Sequence, residues 1–403
     1  MLYDQVRYHM AVGVTVLLVV FVASVALVAH AYFLYPLFLY LLAAVLPDGD
    51  GDGEFPEAET TLPSVALVIA AYNEEAVIEE KIENSLELNY PGEKLDIIVF
   101  SDASSDQTDA IVRSYADAGI ELIRIEGRVG KTECQNRVAA AVDAEVLVFS
   151  DANSMYEPDA IRSLVSRFDD GVGCVVGELR YRQTTDGVEG ESLYWRYARF
   201  IKRLESKIGS VVKGNGAVYA VRREEYVPLP PDTMSDFAEP LTVRVSGAEV
   251  KYEPRAVAWE HTAGSIKAEQ SRKIRIITRS WYTISRYRSI FNPFEYGWYA
   301  LQVFTDTVLW WSMPILSLIA FGSATLLAVL TGSLIFAAVT AACVGLLLLG
   351  SIGFYLDRLR GADTIPAIFH VPHYFLVVNH SLLVGLWNFF YGKNVISWET
   401  SNE

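Results

Sequence analysis

The chain is short of cysteine, of lysine and of glycine-rich phosphate loops, and each shortage argues against a class of protein. Its three cysteines, Cys134, Cys174 and Cys343, are scattered through 403 residues and form no CxxC, which speaks against a disulfide framework or a zinc ribbon. Ten lysines and 23 arginines face 49 acids, for a formal charge of −16. The clustered basic surface that neutralises phosphates is therefore missing, and no nucleic-acid partner is expected. No GxGxxG follows the first strand-like run, where AAYNEE stands instead, so NAD and FAD are disfavoured.

Long apolar runs, by contrast, are present. Mean hydropathy is positive, +0.24, which is rare for a wholly soluble chain. Residues 10–46 carry no charge over 37 positions, against about 20 needed to span a bilayer as helix. One span near 10–31 fits, and His30, Tyr32, Tyr35 and Pro36 predict a break after it. Residues 301–356 hold Asp306 as their only charge and have room for two spans, about 306–330 and 333–356, turning at Thr331-Gly332-Ser333. Asp357-Arg358-Leu359-Arg360 follows, and arginines beside a span favour the cytoplasmic side. A last apolar stretch, 365–391, carries His370, His373 and His380, at an interface, at a helix–helix contact or in a functional position.

The charge sits between these blocks. Residues 47–290 hold 42 of the 49 acids and 29 of the 33 bases. Many surface acids with few lysines suit high salt, as in halophilic archaea; a merely acidic domain is the alternative. The expected organisation is an N-terminal transmembrane part (1–46), an acidic Gly/Pro linker (47–63) and a water-facing domain (64–290) with halves at about 64–165 and 166–290. An interfacial aromatic segment (291–305), transmembrane helices (306–391) and a tail (392–403) complete it.

The water-facing domain reads as α/β. Strand-like runs at 64–71, 95–100, 121–125 and 145–150 alternate with helical patterns at 73–88, 109–115, 130–142 and 157–168. Val77, Ile78, Ile82 and Leu86 share one face of the first helix. This order implies a mostly parallel sheet with right-handed crossovers, whose ligands bind beyond the carboxyl ends of the strands. Those ends carry Tyr72-Asn73-Glu74, Ser101-Asp102 and Asp151-Ala152-Asn153, so acids gather at one edge. Asp151 and Asn153, two oxygen ligands at i and i+2, suit Mg²⁺ or Mn²⁺ with a diphosphate completing the shell; an Asx cap on the next helix is the alternative. Asp102 suits a base or ribose, or a simple turn. Lys131, after Gly130 at a helix start, suits phosphate, or is a solvated lysine.

These residues carry a resemblance. SVALVIAAYNEE (64–75), VFSDASSDQT (99–108), GKTECQN (130–136) and VFSDANSMYEPDA (148–160) resemble, in order and spacing, the successive motifs of family 2 glycosyltransferases of GT-A fold. The later ESLYWRYARFIKRLES, GSVVKGNGAVYAVRRE, PPDTMSDFAEPL and SRKIRIITRSW continue it. The flanking spans are similar to the membrane-bound branch that makes cellulose, chitin, hyaluronan and poly-N-acetylglucosamine. The resemblance implies an α/β GT-A fold plus transmembrane helices, and a nucleotide-sugar pocket lined by Ala71, Tyr72, Glu74, Asp102, Lys131 and Asp151. It makes Asp151 and Asn153 the metal position, Asp236 the general base, and Gly214-Asn215-Gly216 the acceptor pocket. Gln270, Arg272 and Arg275 stand where a QxxRW motif faces the diphosphate, but the tryptophan is absent at its place, which speaks against long-chain synthesis. Arg279 and Trp281 are candidate substitutes. The implied partners are a nucleotide sugar, a glycan or polyprenyl-linked acceptor, and membrane lipids. The alternatives are a polyprenyl-phosphate monoglycosyltransferase and a non-catalytic sugar-nucleotide-binding membrane protein.

Overall fold

The computed structural model describes residues 2–46, 62–182, 193–261, 266–360 and 366–393. Most of the expected acidic linker and of the tail lies outside these residues. The described chain divides into two compact units. One contains residues 1–38, 264–278 and 303–393, the other 39–263 and 279–302 with the remaining tail.

The chain begins with helix α1 (Leu2–Ala29), runs through a π-helical turn (His30–Leu34) and continues as α2 (Tyr35–Val45). The break predicted near His30 is therefore a change of winding inside one helix. Pro36 has no N–H to give to the preceding turn, and a wider π turn accommodates this without reversing the chain.

The second unit is built on one eight-stranded sheet. Its elements, in order, are β1 (Val65–Ala71), α3 (Ile78–Leu86), β2 (Leu95–Asp102), α4 (Thr108–Ser114), β3 (Ile120–Ile125), α5 (Lys131–Ala141), β4 (Val146–Asp151), β5 (Met155–Tyr156) and α6 (Ala160–Val165). There follow β6 (Val172–Arg182), α7 (Leu193–Ile208), β7 (Tyr219–Arg222), α8 (Ser235–Ser246), β8 (Glu249–His261) and α9 (Ile266–Arg286). The strand order is β3-β2-β1-β4-β7-β6-β8-β5. The pairs among β1 to β4 are parallel, as the alternation predicts; β7 then runs antiparallel to both β4 and β6, and β8 returns parallel to β6.

All seven residues of β1 are buried, as a strand covered on both faces requires. One core layer packs Leu67, Ile69, Ile78, Ile82 and Val148; the other packs Val68, Phe100, Val138, Phe149 and Tyr219. Helix α3 departs from its predicted face in two ways. It starts at Ile78, the preceding residues forming a turn, and Leu86 is 43% exposed while Lys81 is fully buried among Ile78, Ile82 and Ser85. Beyond α9, short helices α10 (Pro293–Tyr296) and α11 (Trp298–Val303) hold the aromatic segment. Tyr299 and Ile290 are buried there, whereas Phe294 and Trp298 project outward.

In the first unit, α12 (Met313–Thr331) packs along α1, and α13 (Leu334–Arg360) packs on both α12 and α14 (Ala367–Phe390). Gly350 and Gly353 allow the last contact: a Cβ at either would stand 2.4–2.5 Å from Leu376 or the Phe369 carbonyl. Three helical stretches among the described residues are long and apolar enough to cross a membrane: Arg7–Val45, Met313–Thr331 and Leu334–Leu359.

Candidate active site

The carboxyl ends of β1, β2 and β3 end in unusual backbone. Among the described residues, only Asn73, Ala103 and Arg128 are non-glycine residues in the left-handed region, and each lies just past one of these strands. Such conformations persist where surrounding bonds over-determine them. Here the loops are laced together. Asn73 Oδ1 accepts the Ser105 N–H at 2.8 Å, Asn73 N–H reaches Ser104 Oγ at 3.1 Å, and Glu74 N–H reaches Thr108 Oγ1 at 2.8 Å.

Asp102 ends β2 and has no exposed surface. Its two carboxylate oxygens accept the Val129 and Gly130 N–H groups at 2.8 and 3.1 Å. The acid thus fixes the loop that opens α5 and aims its first residue, Lys131. The Lys131 ammonium makes a short ion pair with Asp151 Oδ1, at the end of β4. Arg128, on the same loop, lies over Tyr72, its guanidinium carbon 3.1 Å from the ring centroid.

Asp236 enters from a distant part of the chain. Its backbone carbonyl accepts Gly214 N–H at 2.9 Å, which pins the 214–216 loop to the start of α8. The key position is Gly216. A Cβ there would stand 3.0 Å from Lys131 Nζ, 3.2 Å from Asp151 Oδ2 and 3.7 Å from Asp236 Oδ2. Three charged side chains therefore converge on a space that only the missing side chain leaves open. Asn215 is occupied by backbone groups: its amide nitrogen donates to the Gly177 carbonyl of β6 at 2.9 Å and its Oδ1 accepts Val218 N–H at 3.0 Å. Gly216→Ala is expected to fold normally, since Gly216 needs no left-handed backbone, and to weaken nucleotide-sugar binding about tenfold by crowding this space. Titration with donor checks it; an unchanged affinity would place the diphosphate elsewhere.

The local field is negative. Burial, and then the charges of Asp151, Asp106 and Glu260, push the Glu74 carboxyl up to about 7. A carboxyl whose folded pKa lies above its unfolded one binds more protons when folded, so stability falls as pH rises between the two values. The protein is expected to lose up to about 3 kcal/mol between pH 5 and 7.5 from this group. Glu74→Gln flattens that segment of a melting-temperature profile; parallel profiles for the two proteins would rule the effect out.

Behind the Asp151–Asn153 turn lies Lys81, whose ammonium is pulled down to about 7 by burial, against the opposing charges of Asp151 and Glu260. Arg279, which sequence reading offered for the diphosphate, is buried and donates to the carbonyls of Pro231 and Thr233 and to Thr132 Oγ1. Gln270, Arg272 and Arg275 belong to the other unit, on the first half of α9, where Gln270 Nε2 is 3.0 Å from His380 Nδ1. Sequence reading missed Lys81, Arg128 and Glu260. A lysine interrupting the apolar face of α3 and an arginine between two glycines were the available signals.

Residues 66–227 match the sequence model of Glycosyl transferase family 2. The chain is 27% identical over 248 residues to a probable glycosyltransferase of Bacillus subtilis, covering 57% of this chain and 58% of that protein. It is 26% identical over 208 residues to the poly-beta-1,6-N-acetyl-D-glucosamine synthase of Staphylococcus aureus, covering 49% and 50%. The chain thus spans about half the length of the curated relatives it matches. A mannosyltransferase from Pyrobaculum calidifontis, solved with GDP-Man and Mn²⁺, superposes with a TM-score of 0.68 at 21% identity, covering 93% of this chain and 99% of that one. The sheet is that of the GT-A fold, and the match to Glycosyl transferase family 2 covers residues 66–227 of the chain.

Proposed function

We propose that the protein is a membrane-anchored, inverting glycosyltransferase that moves a hexose from a nucleoside diphosphate sugar, with UDP-sugar the first donor to try, to a glycan or lipid-linked acceptor. The observation that carries this reading is the meeting of Lys131, Asp151 and Asp236 around Gly216. Two of these groups suit a departing diphosphate, and the third suits an incoming hydroxyl.

Among the described residues no cluster of three His, Cys, Asp or Glu side chains could hold a metal unaided. A two-ligand site completed by substrate phosphates is the ordinary arrangement for Mg²⁺. Asp151, whose Oδ2 lies beside Gly216, would hold such an ion, Mg²⁺ or Mn²⁺, with Asn153, two residues on, as the second oxygen ligand. When bound, the ion supplies positive charge against the leaving diphosphate. Lys131 adds a second positive charge there. Asp236 accepts the acceptor hydroxyl proton as the oxygen attacks C1, and direct attack inverts that carbon. Tyr72 and the loop held by Asp102 border the nucleotide.

The three stretches long and apolar enough to cross a membrane support a multi-pass membrane protein, and Arg358 and Arg360 support a cytoplasmic site, where nucleotide sugars are made. A second reading, single transfer to a polyprenyl phosphate, is favoured by the missing tryptophan after Gln270-Ser271-Arg272-Lys273-Ile274-Arg275. The test is nucleoside diphosphate release by the full chain in nanodiscs, at high salt with Mg²⁺ or Mn²⁺, across UDP-, GDP- and dTDP-sugars. Metal-dependent release with one donor is expected. Adding polyprenyl phosphate or a soluble glycan then separates the two readings by product length. Nucleotide binding without release under any of these conditions would leave a sugar-nucleotide-binding protein instead.

A further inference from the structure

Lys81 is a buried lysine without a salt bridge among the described residues. It has no exposed surface, and its contacts are a 2.5 Å hydrogen bond to the Ser154 carbonyl and the face of Tyr156, 4.0 Å to the ring centroid. Taking a charge out of water without an ion-pair partner is costly, and an apolar side chain of similar length fills such a place more cheaply. Packing alone therefore gives no reason for a lysine here.

Its surroundings supply one. The chain leaves β4 through Asp151-Ala152-Asn153 and re-enters the sheet at Met155. Ser154 is the residue between, and it is fully buried. Its carbonyl is held by Lys81, its hydroxyl donates to Glu260 Oε1 at 2.6 Å, and its N–H reaches back to the Asp151 carbonyl at 3.2 Å. One turn further along α3, Asn84 grips both backbone groups of Tyr156, donating to its carbonyl at 2.9 Å and accepting its N–H at 2.8 Å. The Tyr156 hydroxyl is tied in turn to the carbonyls of Phe149 and Ala217, on the strand and loop that flank the site. One face of α3 thus grips the far side of the turn at three backbone groups. Asp151 and Asn153 stand at the start of the same turn.

We propose that Lys81 is a positioning residue of the donor site: with Asn84 it fixes the exit of the Asp151–Asn153 turn, so that the two oxygen ligands stay in the relative orientation a divalent cation and diphosphate require. This inference rests on the donor-site reading above. It explains the presence of a lysine where the helical pattern calls for an apolar residue. A ligand set of one carboxylate and one amide has little affinity to spare, and loss of the groups that orient ligands typically weakens metal binding about 10- to 100-fold.

The test uses the full chain in nanodiscs and Mn²⁺ as probe, with UDP and, separately, GDP, followed by electron paramagnetic resonance. Lys81→Met is expected to remain folded, with a melting temperature no lower than that of the unsubstituted protein. It is expected to raise the Mn²⁺ dissociation constant about tenfold or more and to broaden the bound-Mn²⁺ spectrum. Donor KM rises more than kcat falls. Asn84→Ala, which leaves the lysine in place, shifts the same quantities in the same direction, and it decides the matter if Lys81→Met does not fold. Unchanged Mn²⁺ affinity and spectrum in a folded variant overturn the proposal. If the unsubstituted chain binds neither nucleotide with Mn²⁺, the donor-site reading itself fails, and this inference falls with it.

Discussion

Asp236→Asn is expected to lower the rate of sugar transfer about a thousandfold while leaving nucleotide binding nearly unchanged. General-base removal typically costs about 10²–10⁴ in rate. The substitution keeps the shape of the side chain and leaves the Asp236 carbonyl free to hold Gly214 N–H, so the loop carrying Gly216 stays in place. What is lost is the ability to take a proton. Single-turnover transfer beside equilibrium nucleotide binding separates the two effects. A variant within tenfold of the original rate would mean that another group removes the proton, and that Asp236 serves only to shape the loop.

Asp151→Ala strikes the other half of the reaction. It removes the one carboxylate of the proposed cation site and the ion-pair partner of Lys131 together. Donor use, as kcat/KM, is expected to fall about 100- to 1,000-fold, the order seen when a preorganised electrostatic stabiliser is removed. Mn²⁺ binding in the presence of nucleotide should fall with it. A side effect checks the electrostatics independently. Asp151 is the leading charge acting on Glu74, after burial, so its loss moves the Glu74 carboxyl part of the way back towards 4.5. The fall in stability with pH should then become shallower but not vanish. Retained metal binding would show that Asp151 is no ligand of the cation and serves only to pair with Lys131.

Much of this site was legible in the sequence because its first half is local. Continuous apolar runs gave β1 and β4, and the residues that follow a parallel strand stand at the sheet's carboxyl edge whatever the rest of the fold does. That rule puts Tyr72, Glu74, Asp102 and Asp151 at the edge, and the motif resemblance is what proposes them for a donor site. The bonds that Asp102 and Asn215 make were not legible. Asp102 turns both oxygens to the Val129–Gly130 backbone, and Asn215 spends its amide on Gly177 and Val218. A residue type says which bonds it can make, but not which partner the fold brings to it.

The sequence by itself determined the alternation of strands and helices, the acidic edge and the apolar stretches fit for a membrane, because each follows from periodicity or composition over a short window. The tertiary structure decided what meets at Gly216. Strand β7 runs antiparallel to β4 with Tyr219 opposite Phe149, so the residues just before β7 lie beside Asp151, and the 214–216 loop then ties Asp236 to the same place. It also decided that Lys81 points inward: helical spacing put position 81 beside the apolar residues of α3, but only the turn packed beneath it offers a carbonyl for its charge. Such juxtapositions depend on strand order and register, which no local pattern encodes.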